Sequence, residues 1–271
     1  MDKKYVAYVG SKGRKGGIHI YDVDIKEGIL VERKEVLATN SSHLCCSNNG
    51  KYLYSILDDG VGVYQILPDG DLKFINSKDI DGLRGRFLNV DKSGKYLFVG
   101  GYHDGKVTLM HTHRDGRLGS IWDGVFHKGI GTVAERNSTP HVTCVIPSPD
   151  NHFVCAVDNG LDQVKLYTIS EDNKLELADT IRLRRDTAPR RMRFSEDGKN
   201  AYILCELSNT IEVYSYSYTE GDRYPVFEKI QTVNTYGGER DPMYDIAAGF
   251  CFSPDGKYMF ASTAGPNTVA M

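Results

Sequence analysis

From Tyr5 onward the chain alternates apolar and polar side chains over short stretches, parted by Gly, Asn, Asp and Ser. Alternation of period two over roughly four to eight residues predicts half-buried β-strands. One group reads as strands near His43 to Ser47, Lys51 to Leu57 and Val61 to Ile66, then, after the turn Pro68-Asp69-Gly70, Leu72 to Asn76. Comparable groups run from about Arg86 to Trp122, His141 to Ile181 and Arg190 to Val233.

A repeated phrase punctuates these groups. It reads Ser47-Asn48-Asn49-Gly50-Lys51-Tyr52, Asp91-Lys92-Ser93-Gly94-Lys95-Tyr96, Ser148-Pro149-Asp150-Asn151-His152-Phe153, Ser195-Glu196-Asp197-Gly198-Lys199-Asn200 and Ser253-Pro254-Asp255-Gly256-Lys257-Tyr258. Each copy precedes a β-branched or aromatic run. The turn position falls at 50, 94, 151, 198 and 256. Repeats of roughly 44 to 58 residues, each holding several short strands, predict an all-β propeller of four-stranded blades. A repeat architecture of this length is expected to form one domain over residues 1–271.

The two ends are unequal. The first group starts at a second strand (Tyr5 to Gly10), followed by Gly17 to Tyr21 and Ile29 to Val36, so its innermost strand is missing. The last group stops at Asn267 to Met271, part-way into a third strand. The expectation is about five and a half blades, incomplete at the C-terminal end, with open strand edges through which chains can self-associate. Two long intervals place extra residues near 125–140 and 217–246, each ahead of an inner strand.

Composition narrows the function classes. A net charge of −3 on 271 residues gives no support for nucleic acid as a partner through its phosphates. No apolar run nears the roughly 18 residues of a membrane span, and no signal-peptide pattern opens the chain, so the expected location is cytoplasmic, with no membrane partner. The six cysteines fall inside predicted strands without a C-x-x-C pair. They read as small buried apolar side chains of a reducing compartment, not as disulfides, metal ligands or nucleophiles. His111-Thr112-His113 sets two rings on one strand face, but no acidic or Cys partner stands at a motif spacing, so no metal is expected. The Gly- and Lys-rich stretch Ser11 to Gly17 joins two strands instead of opening a helix; it is no phosphate loop, though it could form a basic lip. No cofactor is implied.

In a propeller blade the innermost strand starts at the end of the channel where the second strand finishes. Those positions are His43, Arg86, His141 and Arg190 for strand starts, and Asp58, His103, Asp158 and Glu206 for strand ends. Ionisable residues thus gather where a ligand could reach them, while strand interiors stay apolar. Arg86, His103, Asp158 and Arg191 are therefore candidate substrate-binding residues.

Several stretches carry a family resemblance: Tyr8-Val9-Gly10-Ser11, Gly17-Ile18-His19-Ile20-Tyr21, Thr139-Pro140-His141, Ala188-Pro189-Arg190-Arg191-Met192-Arg193-Phe194, Cys205-Glu206-Leu207-Ser208-Asn209-Thr210-Ile211 and Ile230-Gln231-Thr232-Val233. On these residues the chain resembles the lactonase family of seven-bladed β-propellers, 6-phosphogluconolactonase-like and similar to carboxy-muconate cyclases. The resemblance spans essentially the whole chain and is most specific from 139 to 233. It implies His141, Arg190 and Glu206 as catalytic residues. A fourth family position, an Arg, is Ala264 here; Arg191 replaces a His, and Ala247-Ala248-Gly249-Phe250 stands where an acid is usual.

Opening a lactone needs a water deprotonated as it attacks the carbonyl, and positive charge for the oxyanion that forms. His141 or Glu206 could be the base. Arg190 could stabilise the oxyanion or hold a carboxylate or phosphate. The partner implied is a small-molecule sugar lactone. The rival reading is a non-catalytic propeller serving as a ligand- or protein-binding platform, which Ala264 and the missing closure favour.

Overall fold

The computed structural model describes residues 5–13, 16–131, 138–239, 241 and 244–271. These form twenty-two strands and, among the described residues, no helix. The strands make six sheets in which chain neighbours pair. The first holds β1 (Tyr5–Gly10), β2 (Gly17–Asp24) and β3 (Ile29–Leu37); the second holds β4 (Leu44–Cys46), β5 (Tyr52–Leu57), β6 (Gly60–Ile66) and β7 (Leu72–Lys78). The third is β8 (Gly85–Val90), β9 (Tyr96–Gly101), β10 (Lys106–Thr112) and β11 (Leu118–Phe126). The fourth is β12 (Val142–Pro147), β13 (Val154–Asp158), β14 (Gln163–Ile169) and β15 (Leu175–Arg182). The fifth is β16 (Pro189–Phe194), β17 (Asn200–Cys205), β18 (Thr210–Ser217) and β19 (Val226–Asn234). The sixth is β20 (Ile246–Phe252), β21 (Met259–Ala264) and β22 (Thr268–Ala270). The first and last sheets thus have three strands where the repeat has four.

The repeated phrase has a physical explanation. In Ser47 to Tyr52 the Ser47 hydroxyl donates to Asn49 Oδ1 (2.7 Å) and accepts the Tyr52 N–H (3.0 Å). Asn49 Oδ1 also accepts the Lys51 N–H, and Gly50 takes a left-handed φ of 65°. The same wiring recurs around Ser148 and Asp150, Ser195 and Asp197, and Ser253 and Asp255. Gly serves at the fourth place because it carries no Cβ penalty at positive φ, and Asn151 (φ 66°) tolerates the same conformation. The phrase is a side-chain-locked hairpin turn, which is why it is legible.

The chain divides into two compact units. Unit one, residues 1–101 and 108–124, packs Ile56, Val61, Leu88, Leu97 and Met110 into one buried cluster, and Ile18, Ile20, Leu53 and Tyr64 into another. Unit two, residues 102–107 and 125–271, buries β12 and β13 almost completely and packs Leu204, Ile211, Ala247 and Phe250 between the fifth and sixth sheets. Outermost strands are the wet ones: most residues of β19 are exposed. β9 and β13 read as nearly continuous apolar runs because they are buried on both faces, whereas β19 mixes in polar residues.

Three of the cysteines, Cys144, Cys155 and Cys205, are buried as expected. Cys46 and Cys251 are exposed instead, and Cys45 is half-buried. Burial pushes the thiols of Cys45 and Cys205 up to about 11 and about 12, which removes them as nucleophiles. Arg14 and Lys15 of the expected basic lip, and residues 132–137, 240 and 242–243 of the two long insertions, lie outside the described residues.

Candidate active site

Each innermost strand in the third to sixth sheets carries a β-bulge near its start. Gly85 pairs with Gly101 and Phe87 with Gly100, leaving Arg86 as the extra residue. The same offset singles out Thr143 in β12, Arg190 in β16 and Ala248 in β20. A bulge re-aims one side chain out of the ladder, a device common beside functional sites. The residues that follow the matching second-strand partners are Tyr102, Asn159, Glu206 and Ala264.

This register sorts the candidates. In the fifth sheet, bulge and strand end both carry charge: Arg190 Nη1 donates to Glu206 Oε2 at 2.5 Å, with side chains 19% and 18% exposed. The fourth sheet has Thr143 and Asn159 at the two places, and the sixth has Ala248 and Ala264. Among these three sheets the ion pair is confined to the fifth. Its backbone is set by the loop before β16, where Asp162 accepts the N–H groups of Asp186, Thr187 and Ala188. Those three bonds hold Asp186 and Ala188 in left-handed conformations (φ 64° and 52°), which side chains with a Cβ adopt only under such restraint.

His141 is held differently. Its half-buried ring stacks on Tyr102, with centroids 4.3 Å apart and planes 8° from parallel. Its Nδ1 lies 2.5 Å from the Tyr102 carbonyl, which can only accept, so Nδ1 carries the proton and Nε2 keeps the lone pair. Nε2 lies 3.5 Å from Thr139 Oγ1, the limit of hydrogen bonding. The His141 N–H donates to Asp158 Oδ1, and Asn159 N–H donates to the His141 carbonyl. Gly160 makes room for this segment: a Cβ there would sit 1.8 Å from the Thr139 carbonyl oxygen and 3.2 Å from the His141 ring. Gly105 (φ 63°) does likewise beneath Pro140.

One residue joins the two arrangements. The Asn159 side-chain amide donates to the Ala188 carbonyl at 3.2 Å, and the same carbonyl accepts the Glu206 N–H at 2.7 Å. The backbones of His141 and Glu206 are thus linked through Asn159 and Ala188, both buried.

The remaining candidates fall elsewhere. Asp158, expected to bind substrate, is instead fully enclosed: it stands one residue before Asn159, the position opposite the bulge, and its carboxylate accepts from His141, Gly160, Leu161 and the ring of His127. A shift of one residue along a strand reverses the face, and this is that shift. His103 stands one residue beyond Tyr102, the position opposite the bulge; it is exposed and meets the Tyr102 ring edge-on at 5.3 Å. Arg191 points away from Arg190, its guanidinium donating to the Thr143 carbonyl (2.7 Å) in the space between β12 and β16, not toward a ligand. Arg86 belongs to unit one, at the bulge of the third sheet. His111 and His113 do share a face, with centroids 4.6 Å apart, and the His111 ring is stacked on Trp122 at 4.4 Å. Among the described residues no group of three or more His, Cys, Asp or Glu could hold a metal ion.

Sequence reasoning missed Tyr102, Asn159, Gly160 and Asp162. The Asp158-Asn159-Gly160-Leu161-Asp162 run was a visible turn signal, but only the register shows that Asn159 and not Asp158 stands opposite the bulge.

Comparison with known proteins places the chain in a family. The profile described as "Lactonase, 7-bladed beta-propeller" matches residues 6–271. The chain is 31% identical over 265 residues to the 6-phosphogluconolactonase of Formosa agariphila, covering 93% of this chain and 72% of that protein. It is 30% identical over 278 residues to the 6-phosphogluconolactonase of Bacillus subtilis, covering 99% and 77%. A crystal structure of a protein from Bacteroides fragilis superposes with a TM-score of 0.87 at 26% identity, over 99% of this chain and 77% of that one.

Proposed function

The chain belongs to the lactonase family of β-propellers, and on that premise we propose that it is a lactone hydrolase of the 6-phosphogluconolactonase type, opening a sugar lactone by base-assisted attack of water. The observation that carries the reading is the His141 ring. With Nδ1–H committed to the Tyr102 carbonyl, Nε2 presents a lone pair of fixed direction, tied through Asn159 and Ala188 to the Arg190–Glu206 pair.

In the proposed reaction His141 Nε2 takes a proton from water as the oxygen bonds to the lactone carbonyl carbon. Negative charge develops on the carbonyl oxygen, where Arg190 supplies a fixed positive charge. The tetrahedral intermediate collapses with cleavage of the ring C–O bond, and the departing oxygen takes the proton back from His141. Glu206 orients the Arg190 guanidinium and offsets its charge before substrate arrives. Arg190 could equally grip a phosphate or carboxylate on the substrate, and a bidentate fork suits either.

The blade arrangement is read as that of the seven-bladed family in a single propeller domain, of which this chain supplies six sheets. Among the described residues no helix is long and apolar enough to cross a membrane; the proposed chemistry fits a cytoplasmic site of action. Self-association through the edges of the three-stranded sheets goes with the same reading. A non-catalytic platform is the weaker alternative, because the curated relatives at about 30% identity carry an enzyme's name. The test is hydrolysis of gluconolactone and of its 6-phosphate above the spontaneous rate, with Arg190→Ala and Glu206→Gln as controls. A chain that accelerates neither lactone would overturn the proposal.

A further inference from the structure

The proposed reaction leaves one enclosed histidine unused. The side chain of His127 is 0% exposed, and its Nδ1 lies 2.6 Å from Asp158 Oδ2. The other oxygen of that carboxylate takes three backbone donors, from His141 (3.0 Å), Gly160 (3.0 Å) and Leu161 (3.0 Å). The backbone N–H of His127 donates to the Gly105 carbonyl at 2.9 Å. Gly105 closes the turn that begins with Tyr102, whose ring and carbonyl hold the His141 imidazole. One residue therefore grips both supports of the His141 ring.

Charge and geometry fix the state of His127. The charged groups that face it are Asp158, on β13, and Lys165, on β14, and they act with opposite signs. Burial outweighs the carboxylate and holds the imidazole below the ordinary histidine range, so the ring is neutral at neutral pH. Its proton sits on Nδ1, facing the acceptor, while Nε2 has no hydrogen-bond partner among the described residues. The ring packs beside Tyr167, with centroids 6.0 Å apart.

We propose that His127 is a positioning residue of the lactone-opening site: through Asp158 it fixes the His141 backbone and so the direction of Nε2, without touching substrate. Three donors converge on Oδ1 because His127 occupies Oδ2. Remove that fourth donor and a fully enclosed carboxylate is left with one oxygen unsatisfied, a costly condition it relieves by turning to share the backbone donors. The His141 N–H moves with it. The inference rests on the reading of His141 as the base.

The test uses the whole chain and isosteric replacements. His127→Leu keeps the branching at Cγ but loses the donor; His127→Asn puts an amide N–H where Nδ1 was. Expected for His127→Leu is a fall in kcat on gluconolactone or its 6-phosphate on the order of 10²-fold with little change in KM, and recovery of most of it in His127→Asn. His127→Gln, whose amide sits where Nε2 was, should behave like Leu and replaces it if the Leu variant does not fold. A second readout needs no substrate: the ¹⁵N shifts of the His141 ring should report a single Nδ1–H tautomer in the parent and in His127→Asn, and a mixture in His127→Leu. A folded Leu or Gln variant with parental kcat and an unchanged His141 tautomer would overturn the proposal, as would an Asn variant no better than Leu. If the parent hydrolyses neither lactone, the functional reading fails, while the tautomer measurement still decides the positioning role.

Discussion

The two halves of the candidate site are built on different physics. His141 is held by things solvent does not reach: a carboxylate at 0% exposure, a buried Asn159 and a glycine packed under its backbone. Arg190 and Glu206 are held mainly by each other, about one-fifth exposed, at a bulge that frees the arginine from the ladder. Buried hydrogen bonds to backbone give a fixed direction, which a base needs because its lone pair must meet a particular proton. A partly solvated ion pair gives charge with some freedom, which suits a group that must follow charge from carbonyl to oxyanion. In the proposed reaction, the difference assigns precision to the segment leading into the fourth sheet and electrostatics to the fifth.

The largest effect should come from breaking the electrostatic half. Arg190→Ala is expected to lower kcat by about 10²–10³-fold, measured by steady-state lactone hydrolysis. Arg190→Lys should recover only a part, since a point charge lacks the fork that meets Glu206 and an oxyanion together.

The precise half breaks through its glycine. A Cβ at 160 would fall 1.8 Å from the Thr139 carbonyl oxygen, so Gly160→Ala must displace the segment carrying His141. The expected loss is on the order of 10² in kcat, with about 1–3 kcal/mol of stability from overpacking. The Arg190–Glu206 pair should survive, so affinity for an anionic product analogue, read by calorimetry, should change little. A Gly160→Ala protein of parental activity would show that His141 tolerates movement and would erase the contrast.

Glu206→Gln sharpens the electrostatic side, keeping shape and removing charge. It should reduce turnover about tenfold, more than it reduces substrate binding.

Much of this fold was legible. The Ser-x-Asx-Gly-Lys phrase announces itself because the turn needs a hydroxyl, an acceptor and a left-handed residue at fixed offsets, which only a few residue types supply. The family resemblance pointed to Arg190, Glu206 and His141, and of these the structure pairs Arg190 with Glu206. What could not be read was register. Asp158 and His103 each stand one residue from the positions opposite the bulges, Asn159 and Tyr102, and neighbours along a strand turn to opposite faces, which composition does not reveal. Arg191 misled for the same reason: beside a bulge, adjacent arginines part company. His127 left no trace in the sequence, since its partner lies thirty-one positions away.

Stability against pH gives a smaller effect on the precise half. The pKa of His127 is lowered in the folded chain by burial, so below the ordinary histidine pKa, about 6.5, the unfolded chain takes up the proton more readily. The contribution of this group is complete above that pH and is lost as pH falls beneath it. His127→Asn, which does not titrate there, should flatten the fall in melting temperature between about pH 6.5 and 5. An equally steep fall in the variant would remove His127 as its cause.

The smallest expected change is a gain. Ala264 occupies in the sixth sheet the register position that Glu206 holds in the fifth. Ala264→Arg places a second cation at that end and should raise kcat a few-fold on the phosphorylated lactone, less on the neutral one.

The most direct measurement is the rate of 6-phosphogluconolactone opening by the intact chain beside His141→Gln, which keeps the segment's length and polarity but loses the imidazole lone pair. The account predicts hydrolysis well above the spontaneous rate in the parent and a loss of about 10²-fold or more in the variant, with its Arg190–Glu206 pair still able to bind the anionic product. Equal rates in the two proteins would contradict it.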